Sequence, residues 1–288
     1  MVGGLAALGS GAAWALGSIL FRSLADHTTA LGLNLAKGLL GLVYLGVALA
    51  WVGVVPMDGR AAGYLCLSGL VGIALGDTLF FMALVRLEPR RTVLLATVGQ
   101  ALTVVLALGV LGERPSVLAW LGIVTILIGV TWVMRERAPT DGSGTRAGIW
   151  LGLAAAACMA VGIILAKLGV AEVPPLQATA VRMAAGMGGL LVVGLSRGTI
   201  MAWLRPFVDP TRLVRLLWAD VVIIGGGFYL SMLALALTDA TLVSVLCATE
   251  PLFVLPLAAW LLRERISRRA LTGALIAVGG VSMIMLSG

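Results

Sequence analysis

Apolar runs of about 20 residues, the length a helix needs to cross the hydrocarbon core of a bilayer, recur along this whole chain. Divided at charged or turn-forming residues, they lie near 2–20, 31–54, 64–85, 91–111, 117–134, 147–166, 177–196, 215–237, 241–262 and 270–287. Lipid offers no hydrogen-bond partners, so the backbone of each run must satisfy itself, as a helix does. The expectation is an all-α integral membrane protein with ten transmembrane helices. Composition excludes the soluble alternative: 60% of the 288 residues are hydrophobic and 11% are charged, against roughly 25% charged in a water-soluble domain.

Cys66, Cys158 and Cys247 each sit in an apolar run, which suits packing thiols rather than a disulfide framework or a metal site. The single histidine, His27, falls in a loop, so neither a His-based triad nor a zinc site can be assembled around it. The net charge of +7 comes from Lys and Arg gathered in short loops, with no basic stretch interleaved with aromatics, so nucleic acid is not an expected partner. Neither a metal nor a cofactor is expected.

The longest hydrophilic stretch, 135–146, divides the chain almost equally and reads as a linker between two five-helix halves, 1–134 and 147–288. The halves can be laid on each other. A shift of 145 places Gly17 on Gly162, Arg22 on Lys167, Lys37 on Arg182 and Gly41 on Gly186. A shift of 151 places Gly76 on Gly227, Ala83 on Ala234, Leu111-Gly112-Glu113-Arg114 on Leu262-Arg263-Glu264-Arg265, and Gly122 on Gly273. Because five is odd, the second copy enters the membrane in the opposite sense. Inverted repeats of this kind belong to secondary transporters, whose site lies near the midplane between the two copies. Lys and Arg flanking the spans number 15 in odd-numbered loops and three in even-numbered ones, a bias that places the odd loops in the cytoplasm and both termini outside. The first run lacks a cationic leader and a cleavage pattern, and so reads as a helix of the fold.

The Leu-Gly-Glu-Arg motif at 111–114 and Arg-Glu-Arg at 263–265, followed by Gly122 and Gly273 respectively, resemble the EamA-type, ten-helix branch of the drug/metabolite transporter superfamily. Glu250-Pro251, and Gly72-Ile73-Ala74-Leu75-Gly76 leading to Phe80, Phe81 and Ala83, resemble the same family. The resemblance covers nearly the whole chain. It implies export of amino acids or related metabolites, often driven by a proton gradient, through a cavity lined by the first four helices of each half, with the fifth and tenth peripheral. Two features depart from the family pattern. The first-half positions equivalent to Glu250-Pro251 are Gly99-Gln100, so the acidic function is not duplicated, and the charge bias puts outside the termini that relatives usually keep in the cytoplasm.

An ionisable side chain inside a membrane helix costs roughly 2.5 to 3.5 kcal/mol even on a lenient scale, and is a functional candidate for that reason. Lys37, Asp77, Arg182 and Glu250 qualify. Lys37 and Arg182 lie within about two turns of helix ends, so they either snorkel to the headgroups or act as substrate anion receptors, one from each repeat. Glu250 is central and precedes a proline that frees backbone carbonyls; it is either one half of a buried ion pair with Lys37 or Arg182, or a proton-coupling carboxylate. Asp77 follows the same logic amid glycines that also suit helix packing. Trp14 and Tyr229 are candidates for stacking on an amphipathic substrate, and Gln100 and Ser231 for polar contacts in the cavity. Trp51, Trp120, Trp132, Trp150, Trp203 and Trp260 fall near span ends, as an interface belt predicts.

The sequence thus points to a multi-pass protein of the cell (plasma or inner) membrane, a secondary active transporter that exports a small organic metabolite by alternating access with proton coupling. Its expected partners are the metabolite, protons or a counter-substrate, and the lipid bilayer. A nucleotide-sugar or sugar-phosphate exchanger and a lipid-linked sugar flippase are also compatible with paired cations. A membrane-embedded enzyme would need a clustered nucleophile or metal motif at one interface, which the sequence does not supply.

Overall fold

The computed structural model describes residues 1–134, 144–250, 252–254, 257 and 268–286. Most of the linker expected at 135–146, together with Pro251, Trp260 and Arg263-Glu264-Arg265, lies outside the described residues. The described chain is predominantly helical, with no strand among the described residues. Helix α1 spans Val2–Ala25 and α2 spans Ala30–Val52. Helix α3, Gly59–Ser68, runs into a long π-helical stretch, Gly69–Asp77, and then into α4, Thr78–Leu106, which ends in a short π turn, Ala107–Leu111. After α5, Val117–Met134, the second half begins with α6, Gly144–Val170, and α7, Pro175–Ser196. A short helix α8, Ile200–Leu204, precedes α9, Pro210–Val221. The second long π-helical stretch, Val222–Tyr229, then leads into α10, Leu230–Leu237. Helices α11, Ala240–Cys247, and α12, Arg268–Leu286, follow.

Six of the helical runs are long and apolar enough to cross a membrane, and four shorter apolar helices accompany them among the described residues. Local chemistry sets several of the starts. Thr29 accepts a hydrogen bond from Gly32 N–H at 3.0 Å, Asp209 accepts one from Thr211 N–H at 2.8 Å, and Pro175 occupies the first turn of α7. The reversal expected between the third and fourth spans falls inside α4: Leu87 lies against Gly148, whereas Leu95 and Gly99 lie against Gly152 and Ala156, so the chain runs down α6 and back up it.

The contacts obey the two shifts read from the sequence. Gly17 packs on Ile223, and its mate Gly162 packs on Gly72, the mate of Ile223. Gly41 packs on Ile224, and Gly186 on Ile73. Arg22 Nη1 donates to the Leu84 carbonyl at 3.2 Å, and Lys167 Nζ donates to the Leu235 carbonyl at 2.8 Å, each neutralising carbonyls at the end of a long helical run. In the crossing of α5 and α12, Gly122 meets Gly280 while Gly129 meets Gly273, so the two helices are antiparallel and exchange places under the same operation. A twofold axis lying across the helices accounts for all of these pairs. It is the symmetry that inverted repeats require.

Two expectations are corrected. Trp203, assigned to the interface belt, is 6% exposed, because α8 folds back and sets the indole against Gly194 while the Trp203 carbonyl meets Gly32. The eighth span begins at Pro210 rather than at 215, since Asp209-Pro210 starts the helix.

At the α5–α12 crossing there is room for no side chain, so Gly122→Leu is expected to lose about 1–3 kcal/mol to overpacking. Thermal unfolding of the purified protein in detergent measures this. Gly279→Leu, at a position that opens to free space, is expected to leave the midpoint unchanged.

Candidate functional site

The two long π-helical stretches occupy equivalent places in the two repeats, at 69–77 and 222–229. A π turn widens the helix and leaves carbonyls without their ordinary partners, and inside lipid those carbonyls need others. The chain supplies them from neighbouring helices. Asn34 of α2 donates to the Ile73 carbonyl at 2.8 Å and to Thr78 Oγ1 at 3.0 Å, while Ser10 of α1 donates to the Gly227 carbonyl at 2.9 Å. Their glycines, Gly69, Gly72 and Gly76 in one stretch and Gly225, Gly226 and Gly227 in the other, lower the cost of leaving the α-helical path.

Between these stretches lies a cavity of about 100 Å³. Both repeats line it. Trp14 and Ser10 come from α1, Asp77 from the first π stretch, and Phe80 and Gln100 from α4. Arg182 comes from α7, Phe228 from the second π stretch, and Ser231 from α10, while Ser244, Cys247 and Glu250 complete the wall. Trp14 and Phe228 stand with ring centroids 5.1 Å apart, forming an apolar wall beside the polar groups.

Lys37 and Arg182 are symmetry mates with different surroundings. Lys37 does not snorkel: it is 0% exposed, its Nζ pairs with Asp77 Oδ2, and it lies 4.9 Å from the Phe228 ring centroid and 5.4 Å from that of Phe81. The pair with Asp77 places the ammonium behind the cavity wall rather than in it. At the position equivalent to Asp77 the second repeat has Phe228, so Arg182 receives no matching carboxylate from its own half. Its Nη1 approaches Met232 Sδ at 3.2 Å, and its Nε has no hydrogen-bond partner. Asp77 and Arg182 line the same cavity.

Of the sequence-predicted residues, the fold brings Trp14, Asp77, Gln100, Arg182, Ser231 and Glu250 to one cavity. Lys37 reaches it only through Asp77. Tyr229 does not line it, and its neighbour Phe228 occupies the wall instead. The ion pair considered between Lys37 and Glu250 is replaced by the pair with Asp77. Gln100 Oε1 and Ser244 Oγ are buried there without partners, leaving hydrogen-bonding capacity for an occupant.

The chain also matches known proteins. A family profile described as the EamA-like transporter family covers residues 1–135 and 146–286. The chain belongs to the EamA-like transporter family. It is therefore a multi-pass membrane transporter built from two repeats, acting on a small molecule in a lipid bilayer. A solved crystal structure shares 18% identity over 97% of this chain and 96% of its own, with a TM-score of 0.73, a likeness of fold. No curated protein matches significantly. In this EamA-like protein, Glu113 of the Leu-Gly-Glu-Arg motif plays a structural part. Its two carboxylate oxygens accept from Ala240 N–H at 2.7 Å and Thr241 N–H at 2.8 Å, capping the N-terminus of α11. Gly112, at φ +66, makes the left-handed turn that presents it.

Sequence reasoning missed one buried acid. Asp220, ten residues into the run that starts at Pro210, is 0% exposed, and neither carboxyl oxygen has a hydrogen-bond partner.

This geometry sets the stability of two variants. Lys37→Met takes the ion-pair partner from the buried Asp77, which is then forced to take up a proton, and is expected to cost about 3–5 kcal/mol, most of which the double substitution Lys37→Met/Asp77→Leu restores. Glu113→Ala is expected to cost about 1–2 kcal/mol by uncapping α11. Chemical denaturation in mild detergent reads both.

Proposed function

We propose that this protein is a proton-coupled secondary active transporter that exports a small organic metabolite bearing a carboxylate, an amino acid or a related compound, by alternating access. On this proposal it resides in the cell (plasma or inner) membrane, with repeats at 1–134 and 147–288 joined by the 135–146 linker and both termini outside. The observation that carries it is the inter-repeat cavity into which Arg182 points without the ion pair that its mate Lys37 has.

Arg182 receives the substrate carboxylate, for which a guanidinium offers two parallel donors. Trp14, with Phe80 and Phe228, sets the shape of the apolar side, and Gln100, Ser231 and Ser244 supply polar contacts. Glu250, in the wall of the same cavity, binds a proton on one face of the membrane and releases it on the other. Asp77 links the cavity to Lys37. Rocking of one repeat against the other exposes the cavity to each side in turn, with the glycine contacts as the sliding surfaces.

One free guanidinium matches one carboxylate. A phosphomonoester carries a charge of about −1.5 to −2 at neutral pH, and the second cation it calls for is held by Asp77, so the sugar-phosphate exchanger is the weaker reading.

Proteoliposome counterflow with pooled L-amino acids, and separately with sugar phosphates, tests the substrate class; exchange is expected with the amino acids. Glu250→Gln is expected to abolish flux driven by a pH gradient while counterflow persists, and unchanged gradient-driven flux would remove Glu250 from coupling. Arg182→Met is expected to weaken substrate binding at least about tenfold, equivalent to roughly 1.4 kcal/mol.

A further inference from the structure

Asp220 and Asp77 approach Lys37 from different repeats. Asp77 ends the π stretch of the first, and Asp220 is the penultimate residue of α9 in the second. Lys37 and Gly41 are one turn apart on the same face of α2, and the Asp220 carboxyl lies against Gly41. A side chain at Gly41 would sit 3.6 Å from Asp220 Oδ2. Its absence lets α2 pack on Ile224 and brings the Asp220 carboxyl to within one helical turn of Lys37 along α2, a distance that a lysine's four-carbon stem spans.

The site is asymmetric. At the position equivalent to Asp220 the first repeat has Gly69, just as Phe228 stands at the position equivalent to Asp77. Lys37 therefore has two acids around it, while Arg182 has neither equivalent. One ammonium cannot balance two carboxylates in a dry interior, so the acid that Lys37 does not hold must be neutralised by another cation. In this structure Lys37 holds Asp77, and Asp220 is the acid without a partner. From α2, the titratable groups that act on Asp220 are Lys37 and Tyr44, whose hydroxyl donates to the Leu217 carbonyl. Arg182 of α7 and Arg22 of α1 point instead to Met232 and to the Leu84 carbonyl.

We propose that Asp220 is a second proton-binding site of the carrier, outside the substrate cavity, and that Lys37 changes partner between Asp77 and Asp220. In the arrangement seen here Asp77 is a carboxylate paired with Lys37, and Asp220 carries the proton. In the other, the Asp220 O–H bond breaks and its proton leaves to water, Lys37 pairs with the resulting carboxylate, and Asp77 takes up a proton from the cavity. One proton is gained and one lost, with no change of net charge. The inference rests on the transporter reading for its use, and not for its test.

Infrared difference spectroscopy of the purified full chain in detergent, between neutral and alkaline pH and with no substrate added, reads the carbonyl stretch of protonated buried carboxyls. The wild type is expected to show a band that Asp220→Asn removes and that Asp220→Glu retains at a shifted frequency. Asp77→Asn is expected to remove the same band, because Lys37 then turns to Asp220, and Lys37→Met is expected to add a second band. A spectrum unchanged by Asp220→Asn would overturn the proton site. Retention of the Asp220 band in Asp77→Asn would overturn the partner exchange. Size-exclusion profiles identify any variant that fails to fold, and the conservative Asp220→Glu then decides the first point. Failure of Glu250→Gln to affect flux leaves these spectra unaltered, so the two readings fail separately.

Discussion

A lysine ammonium that cannot reach water must take its countercharge into the membrane with it. Lys37 is fully buried and meets that demand through Asp77, which belongs to a different helix and is held by a different local distortion. The demand ties three features into one. Helix α2 has to lie close enough to the first π stretch for the pair to form; the π stretch has to find partners for its released carbonyls, as Asn34 provides; and α2 has to pack at the same time on α7 and the second π stretch, where Gly38 meets Met187 and Gly41 meets Ile224. Much of the central packing can be understood as the set of contacts that makes this one pair tolerable in lipid.

The duplication explains the rest of the architecture, and its imperfections explain the site. Where the repeats agree, their contacts are structural: Gly17 and Gly162, Gly41 and Gly186, and Arg22 and Lys167 make equivalent contacts on opposite sides of the axis. Where they disagree, charge is left over. Phe228 in place of Asp77's equivalent leaves Arg182 facing the cavity, and Asp220 in place of Gly69's equivalent gives Lys37 a second acid. Divergence at a few positions turns a symmetric scaffold into an asymmetrically charged cavity.

Much of the site was legible because charge in a membrane helix is conspicuous. Lys37, Asp77, Arg182 and Glu250 stand out by hydropathy, and three of them line the cavity. Asp220 was hidden by an end effect: with the span read from 215 it looks like a residue near the headgroups, whereas a start at Pro210 sets it about 15 Å into the helix. Tyr229 stands out as an aromatic inside a span, which does not say which face of the helix it takes, and its neighbour Phe228 is the one on the wall. Glu113 was read as a family signature, and its bond to the start of α11, 127 residues away, is invisible along the chain.

The sequence by itself determined the class, the helices, the duplication and the family, because solvation in lipid acts on each stretch of chain separately and repeats preserve their spacing. Tertiary structure alone decided which charges pair, which carbonyls the π stretches release to Asn34 and Ser10, and which acid is left without a partner. Those outcomes depend on distances of a few ångströms between helices far apart in the chain, and on glycines whose effect is the close approach they permit.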